Sequence, residues 1–289
     1  MRFFKQTLHV AKGDLIMVSI VTNTAANTAQ RFLGVASDNA SSSIAKLSSG
    51  SRIVRAADDA ASLAISNKLR LDLAGLRQSA ANASQGASLV QVATGALERV
   101  GDILARLKTI STQSINGVLS DDERAFSQLE FAQLATQITD IGAQTLVNGQ
   151  EIIGADAGTF SFQVGITETF TIDVDTSAAD ITAGNFDLTG EDISTAAGAA
   201  TAQAAIETAL TETNNALSTL GAQQSRLQFI ESNLASTIEN LDAANGVFRD
   251  VDFAAETTRL TSQQTLIQAG VSALSQANQI PQLLTRLLQ

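Results

Sequence analysis

The sequence predicts a mainly α protein: an elongated antiparallel coiled-coil helical rod with a small β-hairpin region, its terminal helices forming a second coiled-coil layer. Three observations carry this reading. From Leu69 to Leu104, small and apolar residues recur at steps of four and three, through Leu69, Leu73, Leu76, Ala80, Ala83, Ala87, Val90, Thr94, Leu97, Gly101 and Leu104, which is the spacing of a coiled-coil seam. A second seam near the other end passes through Leu210, Thr213, Leu217, Leu220, Gln224 and Leu227, then Ile230, Leu234, Ile238 and Leu241 after a one-step slip in register. Between the seams, one short stretch switches to a period of two. A helix of roughly forty residues spans about 60 Å at 1.5 Å per residue, so the predicted shape is a rod.

The elements follow in order. Residues 17–50 are rich in Ala, Ser, Thr and Asn, with a weak apolar stripe at Leu33, Ala36, Ala40, Ile44 and Leu47, an amphipathic helix that is marginal alone. Gly50 and Ser51 break it. Asp58 and Asp59 then stand where they can cap the next helix and oppose its positive end, and that helix carries the first seam to about Ile115. Asn116-Gly117 supplies a turn. Ser120 and Glu123 have capping-box spacing ahead of Phe126, Leu129, Leu134, Ile138 and Ile141, so a third helix starts there and ends before Asn148-Gly149. Phe160, Phe162 and Val164, then Phe170, Ile172 and Val174, alternate with polar residues and read as a hairpin. Residues 176–200 read as loop with a short strand near Phe186–Leu188. The return helix begins near Thr201, Gly246 closes its seam, and Asp250 with Asp252 opens a final helix along Leu260, Ile267, Val271, Leu274, Ala277, Ile280, Leu283 and Leu287.

Composition suits helix-on-helix packing. The 289 residues are 44% hydrophobic but only 4% aromatic, with no Trp or Tyr, so alanine must bring helices close rather than fill a thick core. A single proline, Pro281, leaves the long helices unbroken. No Cys is present, which removes disulfide scaffolds and thiolate metal sites. A net charge of −11 argues against nucleic acid as a partner. No apolar run reaches eighteen residues, so membrane insertion is not expected. The first sixteen residues make a poor secretory signal, because Lys12 and Asp14 interrupt the apolar stretch; they read as an extension or an upstream start, with the functional chain beginning near Met17.

Catalysis has little footing, and an enzyme is the least favoured class. The lone His9 lies in the leader, which argues against a Ser-His-Asp triad, and one His is too few for a His-rich zinc site. The pairs Asp58/Asp59, Asp121/Asp122 and Asp250/Asp252 each precede a helix and read as caps. A calcium loop from Asp173 fails because its sixth and twelfth positions are Ala178 and Gly184. No cofactor or metal is expected. Arg99, Arg106 and Lys108, with Arg52 and Arg55, read as a solvated face and inter-subunit ion pairs rather than an anion patch.

Leu47-Ser48-Ser49-Gly50, Arg52-Ile53, Ala57-Asp58-Asp59-Ala60-Ala61 and Leu63-Ala64-Ile65 resemble the amino-terminal motif of bacterial flagellin. Ala269-Gly270-Val271 and Gln276 to Gln282 resemble its carboxy-terminal motif, Phe162-Gln163-Val164-Gly165 its hairpin start, and Asp250 to Glu256 the segment joining its last two helices. The resemblance covers Val18 to Gln289. It implies a filament subunit for swimming motility, whose terminal helices build the innermost tube and whose coiled-coil domain builds the next shell. The boundaries that follow are a leader at 1–16, an inner-core helix and connecting spoke at 17–57, rod at 58–158, hairpin and loop at 159–200, returning rod at 201–246 and an inner-core helix at 247–289. Assembly is expected to rest on Leu33, Ile44, Leu47, Ile267, Val271, Leu274, Ile280 and Leu283, with the rod held by Leu69, Leu73, Leu76, Val90, Leu97, Leu217, Leu220, Leu227, Leu234 and Leu241.

The resemblance also implies partners: other copies in a helical homopolymer, the flagellar export machinery and a chaperone, the filament cap and the hook-junction proteins. It places the chain in the extracellular flagellar filament, exported without a cleaved signal peptide. Three positions depart from the family pattern: Ser51 for Leu, Ser62 for Gly and Val147 for Phe. The stretch Leu104 to Gln113 is similar to one that a vertebrate innate immune receptor contacts in some flagellins; Arg106 matches, Thr109 replaces an acidic residue and Ile110 a Leu, so weak stimulation is expected. A hook-filament junction protein and a surface adhesin on the same scaffold are the alternatives.

Overall fold

The computed structural model describes residues 22–167, 169–181 and 186–287, with side chains as far as residue 279. Its elements are α1 (Thr24–Ser49), α2 (Ala60–Ile115), α3 (Asp121–Gln144), β1 (Leu146–Val147), β2 (Gln150–Glu151), β3 (Thr159–Gln163), β4 (Thr171–Asp175), a 3-10 turn at Ser177–Ala179, α4 (Ala196–Arg249) and α5 (Phe253–Leu287). The leader at 1–16 lies outside the described residues. The chain divides into two units, one of Met1–Ala64 with Gly246–Gln289 and one of Ile65–Asn245.

In the larger unit, α2 and α4 run antiparallel. Ser66 Oγ donates to Asn245 Oδ1 at 2.7 Å toward one end, and Ser111 Oγ to the Ala199 carbonyl at 2.7 Å toward the other. On α2, Leu73, Leu76, Val90 and Leu97 are buried and Leu69 is half-buried. The second line of the seam is shifted one step from the sequence expectation. Ala80, Ala87, Thr94 and Gly101 are only half-buried, while Ser79, Gly86, Ala93, Val100 and Leu107 are buried.

The return helix is also more regular than its pattern suggests. Its buried line Ile206, Thr213, Leu220, Leu227 and Leu234 keeps a strict seven-residue repeat with no slip, and Ala202, Ala209 and Ala216 form the companion line. Leu210, Leu217 and Leu241 are half-buried flanks. The small alanines lie between the backbones and let them approach; the leucines seal the rim. This helix begins at Ala196, five residues ahead of expectation, because Thr195 Oγ1 accepts from Gly198 N at 3.1 Å and caps it.

The capping box of α3 is present, Ser120 N donating to Glu123 Oε2 at 2.8 Å and Glu123 N to Ser120 Oγ at 3.4 Å. Its core face keeps the predicted Ile138, with Leu134 and Ile141 half-buried beside it, but not the predicted Phe126 and Leu129. Phe131, Ala135, Ile138 and Gly142 face inward, whereas Phe126 and Leu129 are 74% and 64% exposed. Asn148 and Gly149, at φ 53° and 82°, form the I′ turn of a two-residue hairpin, β1 to β2. The β3–β4 register pairs Phe160 with Val174 and Phe162 with Ile172, so one face covers the core. A Cβ at Gly86 would lie 3.2 Å from the Phe162 ring; glycine is what lets the hairpin sit this close to α2. The expected strand near Phe186–Leu188 is irregular chain, its Phe186 and Leu188 pinned in the core.

The core concentrates where the second half of α2, α3, both hairpins and the start of α4 meet, with Leu97, Leu104, Phe131, Ile138, Ile153 and Ile206 fully buried. Arg124 closes the end of α2. Its guanidinium is buried and donates to the carbonyls of Ser114 (2.8 Å) and Asn116 (3.1 Å) while pairing with Asp121 at 2.7 Å, satisfying carbonyls that the helix terminus leaves open. Between Arg124 and Arg226 the sequence has no Lys, Arg or His but thirteen Asp and Glu, so this stretch carries more than the whole net charge of the chain.

Candidate functional site

The smaller unit is a helix pair. Asn23 begins it with two bonds, its Oδ1 accepting from Ala26 N at 3.0 Å to cap α1 and its Nδ2 donating to the Ala277 carbonyl of α5 at 2.8 Å. At the other end α1 stops at the left-handed Gly50, and the two chain segments cross as an antiparallel bridge, Ser51 to Asp250. Arg52 N donates to the Arg249 carbonyl at 2.7 Å and Val251 N to the Gly50 carbonyl at 3.1 Å. Ser51, the departure from the family's Leu, is buried there and its Oγ donates to the Ile53 and Arg249 carbonyls at 3.1 and 3.3 Å. A hydroxyl thus bonds backbone that a leucine would only have covered.

Apart from Glu256 near the start of α5, what α1 and α5 bury is small: Ala26, Ala36, Ala40, Ser43 and Ala277. What they leave in water is large. Phe32 is 64% exposed, and Val35, Ile44, Leu266 and Val271 are each more than half exposed. Of the expected assembly residues, Leu33, Leu47, Ile267 and Leu274 are half-buried, while Ile44 and Val271 are exposed; Ile280 and Leu283 lie outside the described side chains. Phe32, Val35 and Leu266, absent from the sequence expectation, line an apolar groove of about 470 Å³ with Ala29, Ala36 and Ala273. Their signal was present as a second stripe one step from the first, Phe32 beside Leu33 and Leu266 beside Ile267. A helix apolar on two sides has one side left over.

The charged groups do other work. Asp58 accepts from the backbone N–H of Arg55 (2.9 Å) and Val54 (3.0 Å), bonds that hold its carboxyl below the usual range. Asp59 is held low by the Ser62 side chain and backbone, and Asp252 accepts from Ala254 N and Ala255 N at the start of α5. Asp59 and Asp252 cap α2 and α5, whereas Asp58, expected to cap α2 as well, turns back onto the Val54 and Arg55 backbone and closes the turn before that helix. Two of the cations expected on a solvated face also have partners within the chain: Arg106 bonds Glu130 through Nε and Nη2 at 2.9 and 2.7 Å, and Lys108 reaches Glu207 at 3.1 Å. Arg99 approaches Asp102 at 4.0 Å. In the receptor-like stretch Arg106 and Thr109 are exposed, but Ile110 is 2% exposed inside the core and offers no surface to a receptor. Among the described residues no group of side chains could hold a metal ion, and no helix is long and apolar enough to cross a membrane.

A helix pair that keeps its alanines inside and its Phe, Val, Leu and Ile outside is the mark of a structural subunit completed by other protein chains. The comparisons say which. The bacterial flagellin N-terminal helical region matches residues 20–156 and the bacterial flagellin C-terminal helical region residues 203–288. A flagellin of Halalkalibacterium halodurans is 39% identical, covering 92% of this chain and 98% of its own length. The flagellar filament 30.7 kDa core protein of Treponema maltophilum is 35% identical over 89% of this chain and 94% of its own. A solved structure from Vibrio parahaemolyticus, provisionally assigned as a flagellar hook-associated protein, has the same fold at 14% identity and a TM-score of 0.57, covering 66% of this chain and 99% of that one. The chain belongs to the bacterial flagellin family. It is a structural subunit that self-assembles into the flagellar filament.

Proposed function

We propose that the filament is built by burying the apolar face of the α1–α5 pair between copies. Leu33, Ile44, Leu47, Ile267, Val271, Leu274, Ile280 and Leu283 take part together with Phe32, Val35 and Leu266. The observation that carries this is the inversion of size across the pair, small residues inside and large ones outside. In water such a face costs free energy that a neighbouring copy recovers. The seam leucines of α2 and α4 hold the larger unit as the platform.

By family resemblance the subunit passes through the flagellar export machinery with a chaperone, is placed under the filament cap and begins the filament at the hook-junction proteins. It works outside the cell without a cleaved signal peptide, and its role is mechanical rather than enzymatic. The test is electron microscopy and sedimentation of the purified full chain at raised salt, where screening weakens repulsion between acidic copies. Filaments from the parent chain, and their loss in Val271→Asp and Ile44→Asp, are expected. Persistent monomers with affinity for a surface ligand would instead support an adhesin, and short caps on hook ends a junction protein.

A further inference from the structure

The larger unit carries two more apolar surfaces that its own fold does not use. The first is a groove of about 720 Å³ walled by Phe170, Phe229, Ile230 and Leu234, with Arg226 at its edge. Phe170 and Phe229 are 63% and 74% exposed. Arg226 is the one cation between Arg124 and Arg249 in the sequence, and among the described residues it has no ion pair or hydrogen bond. The second is a ridge on α3, where Asp122, Phe126 and Leu129 stand at i, i+4 and i+7 on the face turned from the core. Asp122 likewise has no partner among the described residues.

The surfaces match in chemistry: two aromatic walls and a free guanidinium on one, two apolar knobs and a free carboxylate on the other. They cannot meet within one chain. The groove lies beside Gly86 of α2, which Leu227 approaches, whereas the ridge lies beside Arg106 and Ser114, bonded by Glu130 and Arg124. Twenty to twenty-eight residues of helix separate these levels, about 30 to 40 Å. A contact between two different patches is heterologous, and repeated by translation it propagates instead of closing.

We propose that the Phe170–Phe229 groove of one subunit receives the α3 ridge of a second copy, with Arg226 meeting Asp122. The proposal rests on the filament reading, since a contact this small holds only where other contacts already fix the copies in place. It makes the contact between larger units a directional one, ridge into groove.

Charge reversal tests it. Arg226→Asp and Asp122→Arg, each with an unchanged monomer melting temperature, are expected to raise the critical concentration for polymerisation about tenfold. The double variant, which exchanges the two charges, is expected to return to within about twofold of the parent. Because the chain has no native Cys, a mixture of Phe126→Cys and Phe229→Cys subunits should form mixed disulfide dimers under polymerising conditions and none when dilute. Normal polymerisation of both single variants, or a double variant no better than the singles, or disulfides only between like variants, would overturn the proposal while leaving the filament reading intact. Failure of the parent chain to polymerise at all would take down both.

Discussion

Phe32→Ala separates assembly from folding at a single position. Phe32 is 64% exposed, and the Arg31 guanidinium lies 5.6 Å from its ring centroid. Full burial of a Phe side chain is worth up to about 3 kcal/mol, so about 2 kcal/mol is still available to a neighbouring copy. At 1.4 kcal/mol per factor of ten, that is about a thirtyfold change in critical concentration, reduced toward tenfold by the ordering cost of association. The monomer should hardly notice, since exposed substitutions stay within about 0.5 kcal/mol. The assay is a sedimentation series for critical concentration beside a melt of the dilute subunit. A clear drop in melting temperature with an unchanged critical concentration would refute the reasoning, because it would mean that the ring serves the monomer.

Three further outcomes are expected. Leu97→Ala, at a fully buried position, should cost about 2 to 5 kcal/mol in urea unfolding, while Leu71→Ala, at a position 70% exposed, should cost under about 0.5. Arg124→Met should cost about 3 kcal/mol by the same measurement, because it removes a buried charged donor set and reopens the α2 carbonyls. The carboxyls of Asp58, Asp59, Glu123 and Glu207 are all held low, Glu123 by the Ser120 backbone and side chain and Glu207 chiefly by Lys108. Their folded values lie below the unfolded ones, so the stability they give is present above about pH 4.5 and disappears as pH falls through the folded values. Melts at pH 7 and pH 3 should show that loss, and Ser120→Ala should make it smaller.

Much of this was legible because the seam signal is long: Leu73, Leu76, Val90 and Leu97 repeat often enough to outweigh local noise. The Ser120–Glu123 spacing and the Phe160–Val174 alternation were equally direct, since each depends on neighbours in sequence. What failed depended on size and on distant elements. Leu210 and Leu217 outrank Ala209 and Ala216 on any apolar scale, yet close helix approach selects the smaller residue. Phe126 and Leu129 look like core until Phe131 and Ala135, beside the expected Ile138, take that place. Nothing near Arg124 in sequence announces that its guanidinium will cap α2. In the helix pair, Phe32 and Leu266 were passed over beside Leu33 and Ile267, because a pattern shows that a helix has two apolar sides without showing which one the partner helix takes.

The span from Ala125 to Ser225 that lacks every cation also lacks Cys, Tyr, Trp, His and Met. Amine, thiol, imidazole and phenol reagents therefore find no target in the hairpin region, and any covalent marking there must use a hydroxyl, amide or carboxyl group. Trypsin, which needs Lys or Arg, releases Ala125–Arg226 as one uninterrupted peptide even from the unfolded chain. A fluorophore coupled through lysine would sit only on Lys5, Lys12, Lys46, Lys68 or Lys108, all ahead of this stretch in sequence, and leave the most acidic third of the chain unlabelled.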